Sequence, residues 1–239
     1  MSALELTSAA AREVLSCGRV EVLGRMPWAS NATLLVTVAA AGVELPAVYK
    51  PRRGERPLWD FDLGSLCQRE VATFELSDAL GWGLVPETVL RDGPLGPGAV
   101  QRFVDHDPDE HYFTLLEEHR DRFRAFATLD VLTNNADRKS GHCLRRRDDD
   151  LILGIDHGLT FHAAWKLRTV IWDFAGEPVP AELADDVERL VADGLARRLG
   201  GLLTPDELDA VGRRADALLA AGCLPVPDDG YHSFPWPLV

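Results

Sequence analysis

The stretch Asp130-Val131-Leu132-Thr133-Asn134-Asn135-Ala136-Asp137-Arg138-Lys139-Ser140-Gly141-His142 is a polar, turn-forming loop between a helical pattern and a short hairpin. The hairpin arms are His142 to Arg145 and Leu151 to Ile155, turned at Arg147-Asp148-Asp149-Asp150. Its second arm is apolar and delivers Asp156 at its end, with Gly158 two residues on to let the backbone turn. Asp137 is followed by Lys139 at +2 and His142 at +5, and lies 156 − 137 = 19 residues before Asp156. A hairpin between the two acids can bring them back together. Two carboxylates, a lysine and a metal-ligand candidate on one cleft edge suit phosphoryl transfer, which needs positioning, charge neutralisation and a base rather than a covalent nucleophile. The bland alternative is a polar loop with an incidental acid at a strand end.

Two further charges sit in apolar settings upstream. Lys50 ends the strand Leu45-Pro46-Ala47-Val48-Tyr49-Lys50, and period-two alternation puts it with Val48, on the face expected to be buried, rather than with Tyr49. Arg52, Arg53 and Arg56 follow, so four cations occupy seven positions and suggest an anion site, against the plain alternative of a solvated turn. Glu70 lies on a helix among Cys67, Val71 and Phe74. A carboxylate there needs a cation or it protonates, and Lys50 is the available partner.

Outward from these residues the chain changes texture near position 105. Before it lie the β-rich runs Val20 to Leu23, Thr33 to Val38, Leu45 to Lys50, Val85 to Leu90 and Ala99 to Val104, with one helix over Leu66 to Leu80. After it, helices are predicted over Phe113 to Leu132, around Leu183 to Leu195, and from Thr204-Pro205-Asp206-Glu207, whose Thr cap, Pro and Glu mark a helix start. The fold class is α+β, in two lobes: residues 1–104 a β-rich lobe with one helix, residues 105–239 a mainly helical lobe carrying the loop and hairpin.

Composition narrows the setting. The 239 residues are 46% hydrophobic and 26% charged, enough for a real core. Lys plus Arg is 25 against 38 Asp plus Glu, a net charge of −13, which argues against nucleic-acid or anionic-membrane partners. No apolar run approaches the ~18–20 residues of a membrane span, no signal peptide is evident, and the four cysteines are scattered, so a cytoplasmic, reduced setting is expected.

With Lys50, Glu70, Asp137 and Asp156 in that order, residues 20 to 175 resemble an atypical protein-kinase-like fold, closest to phosphatidylinositol 3-/4-kinases and HipA-type kinases. Asn135-Ala136-Asp137-Arg138 resembles the N-x-D-R of their catalytic loops and Asp156-His157-Gly158 their D-F-G. The longer stretches Gly24 to Asn31 and Tyr49 to Phe61 resemble a small actinobacterial family of the SCO1664 type that is placed beside those kinases.

The resemblance implies an ATP-dependent kinase with Mg or Mn as cofactor. Lys50 would hold the α/β-phosphates and pair with Glu70, and Asp137 would orient the acceptor hydroxyl as catalytic base. Lys139 would steady the transferred group, and Asp156 would hold the cation. Gln101 to Val104, with Gln101 and Phe103 foremost, would be the hinge that meets adenine. Ser30 and Asn31 would cradle phosphate, since no GxGxxG is present. His142 stands where those families usually have Asn, so it or Asn135 would complete the metal shell, although imidazole is a poor ligand for Mg. The segment after Gly158 is short, which disfavours a long docked protein substrate, yet a small molecule or a protein both stay open as acceptor. A nucleotide-binding pseudokinase acting as a regulatory module is the alternative, and a metal-assisted phosphohydrolase a third reading.

Remaining features point to packing. Asp130 is expected to brace backbone amides of the loop. Trp28 is expected in the core, and the tail around Tyr231, Phe234 and Trp236 is expected to pack back on the body. A zinc site from His142, His157, His162 and Cys143 lacks ligand spacing.

Overall fold

The computed structural model describes residues 6–26, 31–228 and 232–238. Helix α1 (Ser8–Cys17) is capped by Thr7, whose side chain accepts from the Ala10 amide, and leads into strand β1 (Arg19–Arg25). Strands β2 (Leu34–Ala40) and β3 (Val43–Pro51) follow, then helix α2 (Leu66–Leu80) and strands β4 (Thr88–Gly93) and β5 (Gly96–Arg102). The five strands form one antiparallel sheet in the order β1-β2-β3-β5-β4. Helix α2 ends at Gly81, whose φ of 74° closes the helix in a conformation that costs glycine little.

Strand β3 decides how the sheet is used. Leu45, Ala47 and Tyr49 are buried against Ala11, Val14 and Leu15 of α1. Val48 and Lys50 face the other side and are only half-buried. The alternation expected from the sequence holds, but the more buried face is that of Tyr49, because α1 covers it. Lys50 looks toward α2 instead, opposite Ala99 of β5 in register, and Ala99 packs on Cys67 and Val71 of that helix.

The C-terminal part is mainly helical. It holds α3 (Tyr112–Leu115), α4 (Arg120–Thr133), the two-stranded β6 (Cys143–Arg145) and β7 (Ile152–Gly154), then α5 (Ala181–Asp193), α6 (Ala196–Leu199) and α7 (Pro205–Ala221). The single helix expected over 113–132 is two: His119 leaves helical geometry, and the break lets Tyr112 and Phe123 meet edge to face at 4.8 Å in one core. The helix start at Thr204 is a full capping box, with Thr204 and Glu207 each accepting the other's backbone amide.

One core runs from the rear of α2 (Leu76, Leu80) through α4 (Phe126, Leu129) to α5 (Val187, Leu190) and α7 (Val211, Leu218). Helix α2 is therefore shared: one side meets the sheet, the other the helical part. Arg69 sharpens that link. Its guanidinium, almost fully buried, pairs with Glu207 of α7, donates to the Thr160 carbonyl and stacks over Phe61 at 4.9 Å.

Of the expected tail packing, the backbone does dock: Ser233 O accepts from Thr169 N at 3.1 Å and Trp172 Nε1 at 3.0 Å. The rings of Phe234 and Trp236 stay exposed, contrary to the expectation. Trp28 and Tyr231 lie outside the described residues.

Candidate active site

Lys50, Glu70, Asp137 and Asp156 line one cavity of about 320 Å³, together with Asn31, Thr33, Arg56 and Gly158. Four separate elements deliver the charged groups: the end of β3, the middle of α2, the loop after α4 and the end of the β6–β7 hairpin. Lys50 Nζ contacts Glu70 Oε1 and lies 3.1 Å from Asp156 Oδ1. Glu70 uses its second oxygen to accept the His157 backbone amide at 3.1 Å. The α2 carboxylate thus ties the β3 lysine to the turn that presents Asp156.

The electrostatics follow from burial and pairing. Burial opposes the Lys50 charge, but Glu70 and Asp156 more than offset it and raise the lysine's pKa. The Lys50 ammonium holds the Asp156 carboxyl well below the usual carboxylate range. Burial pushes Glu70 up, against the pull of Lys50. Asp156 sits at φ 60°, a left-handed conformation that aspartate tolerates better than most residues, and its side chain remains half open to the cavity.

Asp137 reaches the same cavity from the loop after α4. Its backbone amide donates to Asn135 Oδ1 at 3.0 Å, and Lys139 Nζ stands 3.2 Å from Oδ2. Burial raises its pKa while Lys139 lowers it, and the net upward shift makes the carboxylate a better proton acceptor than a solvated aspartate.

The loop around Asp137 is held by an almost wholly buried polar network. Asp130 accepts from Asn135 Nδ2 at 3.0 Å, from Arg138 Nε at 3.1 Å and Nη2 at 2.9 Å, and from Thr169 Oγ1 at 3.1 Å. It therefore braces side chains, where backbone amides had been expected. Arg138 also reaches His157 Nε2 at 2.7 Å. Asn134, at φ 51°, ends α4; its amide donates to the His162 and Ala164 carbonyls and accepts from Lys166 N. Of these residues only Asp130 and Asn135 drew a specific role from the sequence. Asn134 and Thr169 gave no signal beyond polarity, because their partners are 28 to 39 residues distant, and Arg138 was marked only through the N-x-D-R resemblance, although its partner Asp130 is eight residues away.

Several expected site residues stand elsewhere. Asn135 is fully buried, with both ends of its amide engaged on Asp130 and Asp137, and it does not line the cavity, so it braces the loop. Gln101 is buried in β5 and donates to Thr88 Oγ1 at 2.9 Å, away from the cavity. Phe103 donates its amide to Pro46 O at 3.0 Å, extending the β3–β5 pairing, so that amide is not free for adenine. Neither residue lines the cavity. Asn31 does, but its Oδ1 accepts the Arg56 amide at 3.0 Å. Ser30 lies outside the described residues.

His142 stands beside Asp156, with Nε2 at 3.6 Å from Oδ2. Burial lowers its pKa to about 4, so the ring is neutral. Its Nδ1 accepts the Lys139 amide at 3.4 Å, which assigns the ring proton to Nε2, the nitrogen that faces Asp156. In that tautomer the Nε2–H faces the carboxylate from beyond hydrogen-bond reach, and the ring offers no lone pair to a cation there. The donor set left for a divalent ion is the open Asp156 carboxylate, which suits Mg or Mn because such ions keep waters and phosphate oxygens as their other ligands. Among the described residues, no group of three or more His, Cys, Asp and Glu is arranged to hold a metal. No helix of the described residues is long and apolar enough to cross a membrane.

No protein-family model matches the chain. It is 39% identical over 262 aligned positions, covering 94% of each chain, to Protein Rv2133c of Mycobacterium tuberculosis (strain ATCC 25618 / H37Rv). Among solved structures it is similar to the Helicobacter pylori proinflammatory kinase CtkA, with TM-score 0.55 and 11% identity over 88% of this chain and 94% of that one. It is similar also to the Golgi casein kinase, at TM-score 0.57 and 13% identity over 92% of this chain and 79% of that one. A structure of the same kinase with Mn/ADP bound gives TM-score 0.56 and 13% identity over 97% of this chain and 80% of that one. At such identities the likeness is one of fold: the chain has a kinase-like fold.

Proposed function

The chain belongs to the family of Protein Rv2133c, and we propose that its members of this kind are ATP-dependent phosphotransferases that move the γ-phosphoryl group of ATP to a hydroxyl acceptor. The observation that carries the reading is the convergence of Lys50, Glu70, Asp137 and Asp156 from four elements on one cavity of a kinase-like fold. An ammonium, a supporting carboxylate, an open carboxylate and a separate basic carboxylate are the parts phosphoryl transfer needs.

Each residue then has a task. Lys50 binds phosphate oxygens as a point charge, kept pointing into the cavity by Glu70. Asp156 would hold a divalent cation, Mg or Mn, which when bound neutralises charge between phosphates. Asp137 orients the acceptor hydroxyl and takes its proton, and Lys139 keeps that carboxylate ionised and balances charge on the moving group. His142, with Nε2 at 3.6 Å from Asp156 Oδ2, flanks that carboxylate rather than ligating the cation. The acceptor is a small molecule or a protein.

The test is a thermal-shift and ATP-consumption series with Mg²⁺ or Mn²⁺. At ATP near 100 times Kd, stabilisation of about 2.7 kcal/mol should raise Tm by roughly 5–11 °C. Asp156→Ala should lose both shift and turnover, and Asp137→Asn should keep the shift and lose turnover. A parent protein with neither shift nor turnover in either metal overturns the reading. A second reading, a nucleotide-binding pseudokinase, draws on His142 and the engaged Phe103 amide. It predicts the shift without phosphoryl transfer to any acceptor or to the protein itself.

A further inference from the structure

On the helical part, away from the cleft, a second cavity of about 490 Å³ runs along α7. Ala210, Arg213, Arg214, Ala217, Leu218 and Ala221 line it, spaced as one stripe of a helix. Its opposite wall is apolar, with Trp165 and Val226 both largely exposed. Three alanines on the stripe leave the space hollow, and the volume is that of a small-ligand site.

The two arginines make it more than a greasy groove. Arg214 is 8% exposed, and the partners it does have are backbone carbonyls: Nε donates to Leu132 O at 2.9 Å and Nη1 to His162 O at 3.3 Å. Its Nη2 is buried with no hydrogen-bond acceptor. Arg213, itself exposed, also lines the cavity, and among the described residues neither guanidinium is within ion-pair distance of a carboxylate. The Arg214 Nη2 nitrogen is sealed from the cavity, but a buried guanidinium held only by neutral carbonyls is costly, and an anion in the cavity beside it offsets that cost. That two unpaired arginines stand together in a chain of net charge −13 points the same way.

We propose that this cavity binds an aliphatic carboxylate, its carboxylate on Arg214 and Arg213 and its chain along the alanine stripe toward Trp165 and Val226. The site is independent of the phosphotransferase reading. It is nonetheless connected to the cleft: the Leu132 and His162 carbonyls held by Arg214 belong to the end of α4 and to the segment after Asp156. An occupant would stiffen the two strands of chain that frame Asp137 and Asp156.

The experiment is calorimetric titration of the full chain with decanoate below its micellar range, beside decan-1-ol and decyltrimethylammonium. Decanoate should saturate one site. Both other amphiphiles should bind at least tenfold more weakly, as loss of a charged hydrogen bond implies. A hexanoate-to-decanoate series should tighten by about fourfold per buried methylene. Ala217→Trp fills the groove from an exposed helix position and should weaken decanoate at least tenfold, and Arg213→Gln several-fold, both with unchanged melting of the free protein. Equal binding of decan-1-ol, no saturation in the parent, or indifference to Ala217→Trp overturns the proposal. So does concentration-dependent dimerisation that Ala217→Trp abolishes without decanoate uptake, which would assign the groove to a second copy of the chain.

Discussion

Replacing Asp130 by Asn should cost this protein a large share of its stability without altering the identity of any side chain that lines the cavity. The Arg138 side chain is 0% exposed and that of Asp130 1%, so the pair has no recourse to water. Asn keeps the shape but removes the charge, and its amide nitrogen turns a donor toward a guanidinium that is itself all donors. Asn135 and Thr169 donate to different oxygens of Asp130, so one of those two contacts loses its acceptor in the same change. Breaking one side of a buried ion pair costs about 3–5 kcal/mol because the other charge is left uncompensated. For a chain of this size that corresponds to a Tm loss of roughly 6–20 °C. Calorimetric and circular-dichroism melts read it directly. Asp130→Leu combined with Arg138→Met should recover most of the loss, since an apolar pair of similar volume removes both desolvation penalties. A single variant that melts within about 2 °C of the parent refutes the account of the loop as held by this charge.

The raised pKa of Asp137 puts the acid limb of the pH–rate profile above that of an ordinary aspartate: turnover falls as pH drops through it, and Asp137→Asn should abolish the limb with the rate. His142 is neutral when folded, its pKa lowered from 6.5 to about 4, so the folded state binds fewer protons than the unfolded in that window and stability falls as pH drops from 6.5 to 4. The size is on the order of 3 kcal/mol, and denaturant titrations of His142→Gln should show a flatter slope across the same window. At Gly54 an added Cβ would stand 2.4 Å from Ala32 Cβ. Gly54→Ala should therefore push the Asn31–Thr33 segment off the cavity, costing about 1–3 kcal/mol and weakening nucleotide-induced stabilisation.

The elements and the acids were readable in the chain, and the wiring between them was not. Helix α2 shows its bounds because Gly81 stops it, and the order Lys50, Glu70, Asp137, Asp156 is visible as charges in apolar surroundings. The choice of buried face on β3 went the other way because it depends on α1, whose contact with Tyr49 spans more than thirty residues and leaves no period in the strand itself. Asn135, Gln101 and Phe103 were misplaced for a common reason. Each has the polarity or position of a ligand contact, but a nearby partner (Asp130, Thr88 or Pro46) takes up the group that would have made it. A motif reports which atoms a residue carries, and only the fold decides who claims them.

That claim on atoms also explains why the site is built on so much buried polarity. Asp130, Thr133, Asn134, Asn135, Arg138, Ser140, His157, Thr160 and Thr169 are all buried. A hydrophobic loop of the same length would stabilise the protein more, because buried ion pairs seldom repay their desolvation. What it would not do is hold a backbone in left-handed geometry. Asn134 at φ 51°, Asp156 at φ 60° and Phe161 at φ 61° lie on the segments this network joins, each a conformation that costs energy outside glycine. Directional hydrogen bonds can enforce such angles, whereas dispersion contacts cannot. Glu70 completes the argument: with one oxygen on the Lys50 ammonium and the other on the His157 amide, it carries the constraint from the loop to the sheet. Arg69, its neighbour on α2, carries the same constraint to α7. The spacing of Lys50, Asp137 and Asp156 is thus fixed by Glu70 together with groups that do not line the cavity, and a substitution in the network should disturb the cleft even where it leaves all three side chains intact.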